Sequence, residues 1–168
     1  MGPAIAAVGA GIAALLELTV ASRYQIDGAQ LLQLSLIFAI AVTVVYGFEE
    51  GMAWAFVGGL CLDLLALRPL GASVFELLIA VALTTVAQPL LSRSRYIGCI
   101  AAVFFITPLF LVISDATTGL LRPPAPPIQI TSLIVAAFAN AIAAAVLSPI
   151  VLGLKRRSEQ RRRVLWWR

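Results

Sequence analysis

The residues of this chain that could do chemistry are few and scattered. Its 168 residues include no histidine, so the commonest general base and metal ligand is missing. Cys61 and Cys99 lie far apart inside apolar runs. They form neither a CxxC pair nor a metal set, and they read as small buried hydrophobes. Three carboxylates, Glu17, Asp63 and Glu76, stand inside apolar runs. A carboxylate surrounded by lipid is costly and is usually paired or functional. A proton or substrate relay would need more intramembrane acids and bases than these. The inventory therefore predicts no catalytic residue, no metal site and no cofactor: the chain is not expected to be an enzyme.

Asp63 is the most informative of the three. It falls near the C-terminal end of an apolar run, where the helix macrodipole disfavours negative charge. Arg68 and the first amides of the next run, residues 72–75, are the nearest compensating groups. Asp63 is expected to pin the turn between the third and fourth helices through them. Ser73-Val74-Phe75-Glu76 has S-x-x-E capping-box spacing, so Glu76 is expected to reach back to the start of helix four. Glu17 lies one turn from the end of helix one, where it would snorkel or pair with Arg23. Asn140 stands among alanines in helix six and is placed to bond across helices. Glu49 and Glu50 sit where a helix start favours them.

These residues must be positioned by elements that live in lipid. The chain is 61% hydrophobic and 12% charged, with a mean hydropathy of +1.01. Soluble domains carry about 25% charged residues, so a soluble enzyme, a disordered chain and a disulfide-rich secreted domain are all excluded. Six runs approach the roughly 20 residues that a spanning helix needs: 3–21, 31–48, 52–67, 72–91, 96–114 and 133–154. The first lacks a basic n-region and reads as a retained helix, not a signal. The third is short. It spans a thin bilayer, extends backward over Glu49 and Glu50, or enters partway and returns; spanning is favoured. The expected fold class is all-α, a polytopic membrane protein with six transmembrane helices. Residues 1–154 form the six-helix domain and residues 155–168 a basic cytoplasmic tail.

Charge sets the orientation. With six spans, Arg93, Arg95, Lys155, Arg156, Arg157, Arg161, Arg162, Arg163 and Arg168 fall on one side and Arg23, Arg68 and Arg122 on the other. Both termini are then cytoplasmic. The tail is expected to hold anionic headgroups through Lys155, Arg156, Arg157, Arg161, Arg162 and Arg163, with Trp166 and Trp167 at the interface. Docking to a cytoplasmic protein is the sharper alternative. Nothing supports nucleic-acid binding.

The connections are short. Asp27–Gln30 has D-x-x-Q spacing that would start helix two. Arg68-Pro69-Leu70-Gly71 is a tight turn. Residues 115–130 form a long outer loop in which Pro123, Pro124, Pro126 and Pro127 favour an extended course. That loop is a spacer or a contact surface for an extracytoplasmic partner. Pro108 is expected to interrupt and kink helix five. Gly47, Gly51, Ala55 and Gly59 recur every four residues, and Gly58 broadens the ridge. Small residues at that spacing let helix backbones approach closely. Gly51, Ala55, Gly58 and Gly59 are therefore candidates for bundle packing or for a groove that takes a partner helix.

The segment Gly58-Gly59-Leu60-Cys61-Leu62-Asp63-Leu64-Leu65, followed by Pro69-Leu70-Gly71, resembles the rod shape-determining MreD family. That family shows a G-L-x-x-D-L-L segment and then P-L-G before the next helix. By this resemblance Gly59, Asp63, Arg68, Pro69 and Gly71 mark a structural signature at the helix 3–4 corner. Glu76, just after it, departs from the simplest pattern. The resemblance implies a fold like the substrate-binding S-components of energy-coupling-factor transporters. It also implies a non-enzymatic role in the cell-elongation (rod) complex, which builds lateral-wall peptidoglycan in the bacterial cytoplasmic (inner) membrane. The implied partner is MreC, bound through its transmembrane or juxtamembrane part, with MreB, RodA and its transpeptidase partner in the wider assembly. Anionic lipids and a second copy of the chain complete the expected partners. The competing readings are an S-component-like subunit for vitamin or metal uptake and a proton-coupled carrier using Asp63, Glu17 or Glu76. No His or Cys cluster favours the first of these.

Overall fold

A computed structural model of the chain describes the backbone at residues 3–19, 25–26, 29–66, 69–91, 94–121 and 129–165. It describes side chains at residues 8–19, 30–66, 69–89, 94–117 and 129–155. Six helices carry the fold: α1 (Pro3–Thr19), α2 (Leu34–Tyr46), α3 (Phe48–Leu65), α4 (Ala72–Leu91), α5 (Arg95–Leu121) and α6 (Ile130–Leu165). Between α1 and α2, strand β1 (Gln25–Ile26) pairs antiparallel with β2 (Ala29–Gln30), Gln25 opposite Gln30 and Ile26 opposite Ala29. The ladder corrects the expected helix start at Asp27–Gln30. Asp-Gly between two short strands is also a hairpin signal, and Gln30 is used in the ladder, four residues before α2 begins.

The sequence of α2, LSLIFAIAVTVVY, has no polar face. A helix that is apolar all round belongs in an interior, and α2 lies there. It packs against each of the other five helices, and Leu36, Ile37, Ala39, Ile40 and Ala41 are fully buried. Around it α1 neighbours α3, α3 neighbours α4, α4 neighbours α5, and α5 neighbours α6. Lipid offers no hydrophobic drive for helices to associate, so close packing of small side chains must do it. Ala10, Ala13, Ala14, Ala55, Ala102, Ala136, Ala137 and Ala144 all lie in the buried interior. Trp54 of α3 fills the gap between α1 and α2. It faces Phe38 with ring centroids 5.9 Å apart, and a Cβ on Gly9 would stand 2.7 Å from its ring.

Several helix limits differ from those read off hydropathy. The run 31–48 yields a helix of only 13 residues. Residues 31–33 lie outside the helix, and Gly47, at φ 118°, breaks it at the other end. Phe48 opens α3 instead, so α3 does extend backward over Glu49 and Glu50. The outer loop expected at 115–130 is shorter, because α5 runs on to Leu121. Pro123, Pro124, Pro126 and Pro127 lie outside the described residues. α6 continues unbroken through Lys155 into the basic segment, as far as Leu165.

Three prolines stand inside helices without ending them: Pro89, Pro108 and Pro149. The expected interruption of helix five at Pro108 is therefore not seen; α5 passes through it. A helix proline removes the bond to the carbonyl four residues back, and neighbouring groups can take over the freed acceptor. At Pro149 that acceptor is Ala145 O, which accepts from the Tyr96 hydroxyl of α5 at 3.1 Å.

Among the described residues, three helices are long and apolar enough to cross a membrane: α4 over 72–89, α5 over 95–117 and α6 over 130–155. α1 and α2 offer shorter apolar stretches, Val8–Thr19 and Leu34–Tyr46. α3 has 18 residues and carries Glu49, Glu50 and Asp63.

Candidate functional site

The corner between α3 and α4 is built around one carboxylate. Asp63, 1% exposed, sits in the last turn of α3. Its Oδ2 accepts the Gly71 amide at 2.7 Å and its Oδ1 the Ser73 amide at 2.9 Å. The first amides of a helix have no partner within it, and an anion there also meets the positive end of the dipole. Asp63 thus caps α4 from outside the helix with both oxygens. Pro69 O accepts the Ala72 amide at 3.2 Å, and Gly71 O opens α4 by accepting Phe75 N–H at 2.9 Å. Gly71 has φ 96°, a conformation that glycine adopts without the clash a Cβ would bring. One turn before Asp63, a Cβ on Gly59 would stand 2.6 Å from both Val74 N and Val74 Cα. The missing side chain lets the first turn of α4 come within reach of Asp63. Arg68, the other proposed partner of Asp63, lies outside the described residues.

Asp63 also displaces the capping box expected within α4. The Ser73 amide is already taken by Asp63, and the Ser73 hydroxyl is buried with no hydrogen-bond partner among the described residues. Glu76 turns to α5, where its Oε1 accepts from Thr117 Oγ1 at 2.6 Å.

Both ends of α2 are capped in the same way, by side chains of other helices. At its N-terminal end, Glu17 Oε2 of α1 accepts the Ser35 amide and Asn140 Oδ1 of α6 accepts the Gln33 amide, each at 2.8 Å. Asn140 Nδ2 also donates to Leu31 O at 3.3 Å. Glu17 therefore spends an oxygen on α2; Arg23, its expected partner, is outside the described residues. At the C-terminal end, Gln88 Nε2 of α4 donates to Thr43 O at 3.3 Å. Lys155 Nζ of α6 and Arg95 Nη1 of α5 both donate to Val45 O, at 2.5 and 3.3 Å. Lys155 also lies 5.6 Å from the centre of the Tyr46 ring. Lys155, expected among the lipid-facing tail cations, thus points inward to α2. The side chains of Arg156, Arg157, Arg161, Arg162 and Arg163, and all of Trp166 and Trp167, lie outside what is described.

The small-residue ridge meets the chain's own helices. Gly51, Ala55, Gly58 and Gly59 are all buried. A Cβ on Gly51 would stand 3.1 Å from Thr43 Cα of α2, and one on Gly58 would touch Ala10 of α1 at 3.6 Å. The ridge is buried against α1, α2 and α4 of the chain itself. Among the described residues no group of three His, Cys, Asp or Glu side chains comes together. The arrangement holds helix ends, with Glu17 and Asp63 acting as fixed acceptors for backbone amides, and Glu76 ties α4 to α5 through a hydroxyl. Gln33, Ser35, Gln88, Tyr96 and Thr117 belong to it and were not singled out by sequence. A polar residue close to the edge of an apolar run is the one signal that could have found them.

The family described as rod shape-determining protein MreD matches residues 7–158, nearly the whole chain. The chain belongs to the MreD family. No match was found among curated proteins or among solved structures. MreD membership carries a role in determining rod shape, and with the long apolar helices it makes this a membrane protein. The corner of Gly59, Asp63, Pro69 and Gly71 is where the MreD-like sequence segment and the capped helix start coincide.

Proposed function

We propose that this MreD protein is a non-enzymatic scaffold of the cell-elongation complex. It binds MreC and, through it, helps regulate lateral-wall peptidoglycan synthesis and cell shape. The observation that carries this reading is the family match over residues 7–158. The use of the buried polar groups supports it: Glu17, Asp63 and Asn140 hold backbone groups of neighbouring helices, which suits a body that keeps its shape while others dock on it. Six spans, an S-component-like arrangement, residence in the inner membrane and cytoplasmic termini belong to the same reading. MreB, RodA and its transpeptidase partner, and a second copy of the chain, are further contacts in it.

MreC docks on the outward surface in this reading, since the small-residue ridge is internal. Co-purification of native MreC with the full chain from membranes is the test. Recovery of MreC in stoichiometric amount is expected. Absence of MreC, from cells whose shape still depends on this chain, would remove the scaffold reading while leaving the family intact.

A further inference from the structure

Two cations meet at one backbone oxygen. Lys155 comes from α6 and Arg95 from the first turn of α5, and both donate to Val45 O at the C-terminal end of α2. The distances put the two nitrogens within about 6 Å of each other. Against two full positive charges, one carbonyl and the partial negative end of a short helix offset roughly half a charge. The Tyr46 ring lies against Lys155, and Glu50 Oε2 stands 3.8 Å from where a Cβ on Gly47 would be. The nearest carboxylates in sequence to that helix end are Glu49 and Glu50 in the first turn of α3. Among the described residues neither cation forms an ion pair with them or with any other carboxylate. Lys155 keeps two further N–H donors and Arg95 four. Arg95 is exposed and Lys155 half-buried, so the unused donors lie at the surface end of the bundle, beside the last apolar turn of α6.

We propose that Arg95 and Lys155 together form a binding site for a phosphoryl group, supplied by an anionic lipid headgroup. A phosphate carries several strong acceptor oxygens and bridges neighbouring cations through charge-assisted bonds. The position selects the source. Lys155 closes the apolar stretch 130–155 of α6, which is the depth of the headgroups for a spanning helix. The site differs from a diffuse basic tail in that its two cations are held by the fold, on a shared carbonyl, before the ligand arrives. The proposal is independent of the scaffold reading.

The test is thermal unfolding of the full chain in detergent, followed by Trp fluorescence. Short-chain phosphatidylglycerol, short-chain phosphatidylcholine and inorganic phosphate are added separately at equal concentration. Phosphatidylglycerol is expected to raise the midpoint by about 5 °C and phosphatidylcholine by much less. Arg95→Gln with Lys155→Gln removes most of that difference, whatever it does to the starting midpoint. Arg161→Gln, Arg162→Gln and Arg163→Gln together leave it in place. Equal shifts with both lipids would overturn the proposal, and so would a shift that survives in the Arg95/Lys155 variant or vanishes with the Arg161–Arg163 changes. A shift with inorganic phosphate and none with phosphatidylglycerol would keep the phosphoryl site and overturn the lipid as its source.

Discussion

At the residue scale, Asp63 shows why a carboxylate is kept where lipid should exclude it. Each of its oxygens takes an amide at the start of α4 that has no backbone acceptor within the helix, and an orphaned buried amide is costly. Asp63→Ala leaves both amides without acceptors and is expected to cost about 2–4 kcal/mol, about 1–2 for each bond lost. Asp63→Asn keeps one acceptor and is expected to lose clearly less. Thermal midpoints of the two variants in detergent would check the order; equal losses would mean that the carboxylate's bonds to α4 are not what stabilises the corner. The importance of Asp63 was legible in the sequence, because an acid beside P-L-G has few partners to choose from. The fates of Glu17 and Glu76 were not. Their partners, Ser35 and Thr117, lie 18 and 41 residues away, and only the packing of helices brings them near.

At the scale of elements, the glycines divide sharply by surroundings. A Cβ on Gly59 meets the backbone of Val74, which cannot turn aside, while a Cβ on Gly98 of α5 meets nothing within 4 Å. Gly98→Ala is expected to be neutral or to stabilise by up to about 1 kcal/mol, through the helix preference for alanine. Gly59→Ala is expected to push α3 from α4, strain the Asp63 cap and lower the unfolding midpoint. Equal effects of the two changes would contradict the close approach at the corner. Helix limits teach a related lesson. α4 matched its expected limits, 72–91, because a Pro-Gly turn precedes it and a basic stretch follows it. α2 did not, because hydropathy records the cost of transferring side chains from water. It does not record which backbone groups will find Asn140 or Glu17. α5 and α6 outran their apolar runs because a charged residue ends a hydrophobic stretch without ending a helix.

At the scale of the whole molecule, the helices differ in length. At 1.5 Å per residue, the 17, 13 and 18 residues of α1, α2 and α3 give lengths of about 26, 20 and 27 Å. The hydrocarbon core of a typical bilayer is about 30 Å thick. A protein with three short helices and three long ones is expected to be most stable where lipid chains are shorter than average. Reconstitution into phosphatidylcholines of 14, 18 and 22 carbons, with thermal unfolding in each, would show this as a midpoint that falls toward the longest chain. A midpoint that rises steadily with chain length would refute it.

The longest element has a mechanical consequence. α6 is 36 residues long, about 54 Å of unbroken rod, so some 24 Å of it exceeds the hydrocarbon thickness. Tyr96 grips it at Ala145, where Pro149 has removed a rung, and Lys155 grips it at Val45. Asn140 grips it as well, at Gln33 and Leu31 by the opposite end of α2. The rod is therefore clamped at both ends of α2, and a sideways push on the turns beyond Lys155 is passed as bending load into the clamp at Val45.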